Sequence, residues 1–355
     1  MRSATALKHH VRQKNAARAK RKSAAPGASG PVRERNCSVA RTVGILSDAW
    51  AFLVIREAFF GARRFETFRS ALGLPRGTLS ARLKSLTQQG IFRQVHYAEG
   101  SSRVEYRLTK AGLDLYPSFM ALMQFGDRWL TGRKGPPLQL VHADCGKECK
   151  PIVACSSCLK HVRPQDSRYR DGPGAGRTPV QAAKRSRRAS DPSQFMRGRP
   201  SSVSLSLQVM GDKWTFLVIR EAFLGVRRFD KFLSELNIAP NILTDRLNRL
   251  IDRGIFKKKK YQDLPERYEY RLTDMGKDLY GSLVAMMAWG DRWLSHGEPP
   301  IQLTHTTCGK DFTPTVICDK CRKPVTASNM RYRLKYDPRD YEADSDYGRV
   351  APGRI

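Results

Sequence analysis

The chain has 355 residues, a formal net charge of +31 and a pI near 10.2. That length predicts two or three domains. The charge is extreme for a cytosolic enzyme and favours a polyanionic partner, either nucleic acid or an anionic membrane surface. No run of eighteen apolar residues exists, so no segment is expected to span a bilayer.

Residues 1–36 hold ten Lys/Arg and one acid, too polar a segment to offset its ordering entropy by burial. A disordered basic arm is expected there. Met1–Gly30 has no apolar stretch of signal-peptide type, although its basic, acid-poor composition also fits a transit peptide.

From residue 37 the chain says the same thing twice. Asp48-Ala-Trp-Ala-Phe-Leu-Val-Ile-Arg-Glu-Ala-Phe59 returns as Asp212-Lys-Trp-Thr-Phe-Leu-Val-Ile-Arg-Glu-Ala-Phe223, an offset of 164. The offset holds for Gly90-Ile-Phe and Gly254-Ile-Phe, for Tyr106-Arg-Leu-Thr and Tyr270-Arg-Leu-Thr, and for Gly126-Asp-Arg-Trp and Gly290-Asp-Arg-Trp. Each copy, 37–134 and 201–297, predicts the same series. An apolar helix ends at a glycine, a short second helix starts at Phe65 or Phe229, and a turn follows at Gly73-Leu-Pro75 or Asn237–Pro240. The next helix carries a leucine stripe, Leu79, Leu83, Leu86 or Leu243, Leu247, Leu250, with a polar face opposite. Arg76, Thr78, Ser80 and Lys84 lie on the first polar face, and Asn241, Thr244 and Asn248 on the second. A helix–turn–helix pair with a polar second helix suits a major-groove reader, where Arg favours guanine and Asn favours adenine. A basic β-hairpin comes next. Arg103 in one copy and Lys258, Lys260 and Arg267 in the other are candidate contacts of such a wing with phosphates or the minor groove. Thr109 or Thr273 then caps a long helix, whose apolar surface fits either its own core or pairing between copies.

The order Asp-Lys-Trp, Arg-Arg-Phe, Leu-x-x-Arg-Leu-x-x-Leu, Gly-Ile-Phe, Pro-x-Arg-x-x-Tyr-x-Leu-Thr resembles the HxlR family of bacterial winged-helix transcription regulators, over roughly 37–130 and 201–294. The resemblance implies sequence-specific DNA binding as a two-fold dimer, with the long terminal helices in the interface. The first copy departs from the pattern: Ala49 replaces the Lys, and its wing lacks the Pro. The resemblance also implies a sensor of quinones, aldehydes or oxidants at Cys37. Arg33 and Arg35 are candidate neighbours that would favour its thiolate, while a small apolar filler is the other reading. Ser201 stands at that place in the second copy.

The cysteines follow the copies. His142-x2-Cys145-x9-Cys155-x2-Cys158 returns as His305-x2-Cys308-x9-Cys318-x2-Cys321. Four N/S ligands in two tight knuckles suit a closed, structural Zn²⁺ site, so knuckles are expected over 135–166 and 298–335, each taking its own four ligands. A redox-active or merely inherited set of thiols is the alternative. Cys149 has Phe312 at its equivalent and reads as a spare thiol. The stretch 167–200, with nine Lys/Arg against two acids, reads as a flexible basic linker, and 336–355 as a disordered tail.

The fold class expected is α+β, mainly α: two tandem winged helix-turn-helix domains, each followed by a small zinc-ribbon-like knuckle. The function expected is a DNA-binding transcription regulator reading two unlike half-sites on double-stranded DNA. An architectural protein that coats DNA is the alternative. No Gly-rich phosphate loop, Gly-x-Ser-x-Gly elbow or His-x-Glu motif points to an enzyme. The halves are expected to pair within the chain or with a second chain, in the cytoplasm at the nucleoid, away from membranes, and a small molecule or oxidant is the class of effector considered.

Overall fold

The computed structural model describes residues 33–46, 48–96, 103–179 and 199–337. The arm 1–32, most of the linker (180–198) and the tail from 338 lie outside them.

A short strand β1 (Arg33–Arg35) leads into α1 (Ser38–Leu46), α2 (Ala49–Phe59), α3 (Phe65–Leu72) and α4 (Arg76–Gln88). The hairpin β2 (Phe92–His96) and β3 (Val104–Leu108) follows, then α5 (Lys110–Leu113) and α6 (Tyr116–Trp129). Next come β4 (Leu138–His142), β5 (Pro151–Cys155), β6 (Ser167–Asp171) and β7 (Arg177–Pro179). The second copy repeats the set as α7 (Ser202–Met210), α8 (Lys213–Phe223), α9 (Phe229–Leu236) and α10 (Pro240–Asp252). It continues with β8 (Phe256–Gln262), β9 (Arg267–Leu272), α11 (Asp274–Asp278) and α12 (Tyr280–Leu294). β10 (Ile301–His305), β11 (Asp311–Phe312), β12 (Pro314–Cys318) and β13 (Met330–Leu334) close the chain. None of the described helices is long and apolar enough to cross a membrane.

Local chemistry explains the helix ends. Asp48 accepts from Ala51 N at 3.1 Å, and Asp212 from Trp214 N and Thr215 N at 3.0 and 3.2 Å, so each Asp is an N-cap. Gly73 ends α3 at φ +59°, and Asn237 ends α9 at φ +47°. Glycine and asparagine are the residues that tolerate this left-handed position best.

The two copies embrace. The first helix of each packs on the last helix of the other, α1 on α12 and α7 on α6. Thr42 Oγ1 donates to Met286 O at 3.1 Å, and its repeat Ser206 Oγ donates to Leu122 O at 2.7 Å. Ser38 Oγ donates to Asp291 Oδ1 at 2.5 Å, and Ser202 makes the same bond to Asp127. The repeated glycine of Gly-Asp-Arg-Trp allows this approach. A Cβ on Gly126 would lie 2.2 Å from Ser202 O, and one on Gly290 2.6 Å from Ser38 O. Trp129 Nε1 reaches Asp278 at 2.7 Å and Trp293 Nε1 reaches Asp114 at 3.2 Å. Phe52 and its repeat Phe216 stack face to face at 5.8 Å with planes 9° apart. A pseudo-two-fold axis therefore passes between these two rings. The halves pair within one chain, and α6 and α12 serve that pairing.

The Cys/His segments are interwoven more deeply. β5 pairs antiparallel with β12, with Val153 opposite its own repeat Val316. β4 pairs with β13 and β10 with β6. The expectation of two separate knuckles is corrected: these strand pairs join the two copies. The linker is corrected too. Ser167–Asp171 is a strand rather than flexible chain, the repeat of Met330–Leu334, as Arg168-Tyr-Arg170 and Arg331-Tyr-Arg333 declare. The arm also ends in structure, since Arg33–Arg35 pairs with Arg177–Pro179.

Candidate nucleic-acid interface and Cys/His clusters

The helices α4 and α10 each bury their leucine stripe and leave the opposite face open. Leu79, Leu83 and Leu86, and likewise Leu243, Leu247 and Leu250, are at most 1% exposed. Arg76, Ser80 and Lys84 are exposed at successive helical turns, with Thr78 half-buried beside them. Asn241, Thr244 and Asn248 share the exposed face of α10. Arg76 lies over the Phe65 ring at 5.6 Å and 3.5 Å from Glu66, so its guanidinium is already guided on one side. Thr244 Oγ1 bonds back to Pro240 O at 2.9 Å.

Each of these helices is tied to the apolar helix by one repeated ion pair that sequence reasoning passed over. Arg82 bonds Asp48, and Arg246 lies 2.9 Å from Asp212. The Asp of the repeated Asp-x-Trp motif thus caps one helix and anchors the next. Its fixed place in both copies is the signal for it.

The second wing carries Lys257–Lys260 on β8, all exposed. Lys258 sits 5.8 Å from the Tyr268 ring and 6.0 Å from that of Tyr270. Lys260 is engaged by Glu266 at 2.6 Å and Asp263 at 3.1 Å, which raises its pKa by hydrogen bonding to its charged form. Arg267 is exposed at the start of β9, and Leu264 at the tip is 91% exposed. In the first copy Arg103 is exposed, and residues 97–102 at the tip are outside the described residues.

Among the described residues two clusters of four could hold a metal ion. They are not the expected sets. His142 and Cys145 meet Cys318 and Cys321, while Cys155 and Cys158 meet His305 and Cys308. Each cluster takes two ligands from each copy. In the first, His142 Nδ1 lies 3.6 Å from Cys145 Sγ and 3.2 Å from Cys321 Sγ, and Cys145 Sγ lies 4.0 Å from Cys318 Sγ. In the second, His305 Nδ1 lies 3.5 Å from Cys308 Sγ and 3.2 Å from Cys158 Sγ, with Cys155 and Cys308 sulfurs 3.9 Å apart. The strand pairing explains the exchange: in register, Pro151 faces Cys318 and Cys155 faces Pro314, so each Cys-x2-Cys turn emerges beside the other copy's His-x2-Cys turn. Backbone N–H groups of Ser157 and Lys320 point at Cys155 and Cys318 sulfurs at 3.4 Å. Cys149 is buried beside Cys318 and Asp319, whereas its repeat Phe312 packs edge-on against His305 at 5.7 Å.

Cys37 is 3% exposed, just ahead of α1, on a cavity of about 80 Å³ that also takes in Arg220, Tyr280 and Met287. Arg220 of the second copy faces it, while Arg35 lies 3.4 Å from Glu235. Burial works against the Arg220 charge, but the facing Cys37 and Glu221 more than offset it and raise its pKa.

The family description HxlR-like helix-turn-helix matches residues 45–134 and 209–298. An uncharacterised HTH-type transcriptional regulator of Mycobacterium tuberculosis is 45% identical over 130 residues, which cover 36% of this chain and 82% of the relative. One of Synechocystis sp. is 38% identical over 95 residues, covering 26% of this chain and 70% of the relative. Among solved structures, the redox regulator HypR in its reduced form is 31% identical over 25% of this chain and 90% of its own, with a TM-score of 0.25.

Proposed function

This chain belongs to the HxlR-like helix-turn-helix family, and from that premise we propose that it is a sequence-specific DNA-binding transcription regulator whose two halves read two unlike half-sites. The observation that carries the reading is the pair of open polar faces on α4 and α10, each on a helix held by its own Arg–Asp tie. The faces differ in chemistry. Arg76, Thr78, Ser80 and Lys84 offer a guanine-reading cation with small polar neighbours, and Asn241, Thr244 and Asn248 offer amides suited to adenine. Lys258, Lys260, Arg267 and Arg103 serve as wing contacts to phosphates, with Lys260 leaving Glu266 to do so. The +31 charge supplies the sequence-independent attraction to double-stranded DNA. Zn²⁺ is the ion proposed for the two clusters, as structural metal. The protein acts at the nucleoid in the cytoplasm, and an oxidant reaching Cys37 through its cavity is the effector chemistry proposed.

Competition between an enriched target and random duplex at physiological salt tests this reading. A preference of about 10³ or more is expected of a regulator. A ratio near one returns the chain to the architectural alternative. Arg76→Ala is expected to cost about 1–3 kcal/mol and relax one position in the site. A uniform loss across all sequences would make Arg76 a phosphate contact.

A further inference from the structure

Consider what an ion would do in clusters that are each divided evenly between the two copies. With metal–sulfur bonds of about 2.3 Å and metal–nitrogen bonds of about 2.0 Å, a tetrahedron requires sulfurs about 3.8 Å apart and sulfur–nitrogen edges of about 3.5 Å. The structure has 3.9 and 4.0 Å for the first and 3.2–3.6 Å for the second. Three sulfurs and one imidazole close the shell and leave no position for water or substrate, as in a structural site. Both histidines are fully buried, and His142 Nε2 and His305 Nε2 have no hydrogen-bond partner. Each ring turns Nδ1 to the sulfurs of its own cluster, and His142 Nε2 lies 3.9 Å from Asp144.

The strand bearing each histidine runs on from the long helix of its own copy: α6 leads to β4 and α12 to β10. The Cys-x2-Cys turn opposite belongs to the other copy. An ion in either cluster joins Cys145 to Cys318, or Cys155 to Cys308, residues 173 and 153 positions apart in the chain. The two clusters flank the axis that passes between Val153 and Val316.

We propose that the chain binds two tetrahedral divalent ions of the zinc type, each ligated half by one copy and half by the other, and that these ions fasten the two reading units into one rigid pair so that metal occupancy sets DNA affinity. The second clause rests on the DNA-reading function proposed above; the ligand pairing does not. Without metal, the exchanged helices still join the two units, but the Cys/His strand pairs no longer hold them at one fixed spacing. Binding both half-sites then loses the effective-concentration gain of a rigid tether, which reaches about 10²–10⁴.

The test uses the full chain with Zn²⁺ and measures ions per chain by atomic emission in two double variants. Cys145→Ser with Cys321→Ser alters one crossed site and is expected to leave one ion. Cys145→Ser with Cys158→Ser touches both crossed sites and is expected to leave none. Local knuckles give the reverse pattern, and that pattern, or a wild-type chain with no tightly held ion, overturns the proposal. Because a variant can fail to fold, Co²⁺ titration of the wild-type chain is the second measurement. Saturation at two equivalents with the visible spectrum of tetrahedral sulfur-rich ligation is expected, and an octahedral spectrum would contradict it. Chelation should then lower affinity for a two-half-site duplex at least about tenfold while leaving single half-site binding nearly unchanged. Equal affinity with and without metal overturns the clamp. Two crossed ions in a chain that binds no DNA in either state would sink the regulator reading and leave the ligation standing.

Discussion

The reading units and the Cys/His segments occupy one chain and one repeat, yet they close in opposite ways. Each winged unit closes on itself: α4 returns to α2 through Arg82 and Asp48, and β2 pairs with β3 a few residues later. The Cys/His segments close on the other copy, strand for strand. Local closure lets a unit keep its fold when its neighbour changes. Crossed closure makes two copies one object, and the helix exchange of α1 with α12 and α7 with α6 extends the same principle inward.

The largest expected effect falls on the exchanged helices. Gly126→Ala with Gly290→Ala places methyl groups 2.2 and 2.6 Å from backbone oxygens of the other copy. Denaturant unfolding should show a loss of about 3 kcal/mol or more, at or beyond the usual range for overpacking. Gly44→Ala, in α1 with nothing within 4 Å of the added carbon, should instead gain about 0.5–1 kcal/mol. Equal effects would mean that the helices do not meet as described.

Next in size is a pH effect at the same crossing. Burial pushes Asp127 and Asp291 up to about 6, with the bonds from Ser202 and Ser38 only partly opposing it. A carboxyl raised in the folded state contributes its full stability below its ordinary value near 4 and loses it as pH rises through about 6. Asp127→Asn and Asp291→Asn should each remove this fall, worth on the order of 2 kcal/mol between pH 4.5 and 7.5. Parallel pH profiles for variant and wild type would place both carboxyls in water.

Arg82→Ala sharpens the contrast from the other side. Losing a half-buried charged hydrogen bond costs about 1–2 kcal/mol, and the damage should stay in one unit. Affinity for one half-site should fall while both ions remain bound, as metal analysis and footprinting on each half-site would reveal. Loss of an ion would mean that the units are not independent of the clusters. The smallest effect concerns the cluster that contains Cys318. Cys149→Phe copies the Phe312 environment and should leave two ions per chain. It should also slow metal release by hydrogen peroxide, which takes two electrons from the Cys149 thiol and the Cys318 thiolate to give a disulfide, water and hydroxide and so removes one ligand of the ion. Unchanged release kinetics would make Cys149 a bystander.

What was legible in the sequence follows the same division. The winged units are written in short-range patterns: leucine stripes, N-cap aspartates, a hairpin, a duplicated motif order. The N-terminal helices α1 and α7 were not foreseen: beside apolar residues such as Val43, Leu46, Leu207 and Met210 they bury Ser38, Thr42, Ser202, Ser204 and Ser206, small polar residues suited to a close crossing over glycine. The ligand types and spacings of the clusters were legible, but spacing identifies ligands and not which partner they share. The repeated Arg-Tyr-Arg at 168–170 and 331–333 marked β6 as structure inside a stretch whose charge suggested a linker.

Selection of binding sites from random duplexes with the metal-loaded, full-length chain tests the central claim most directly. The account predicts an enriched target with two dissimilar halves at one fixed spacing, guanine prominent in the half answered by Arg76 and adenine in the half answered by Asn241. A symmetric palindrome, halves at freely varying distances, or no enrichment at all would contradict it.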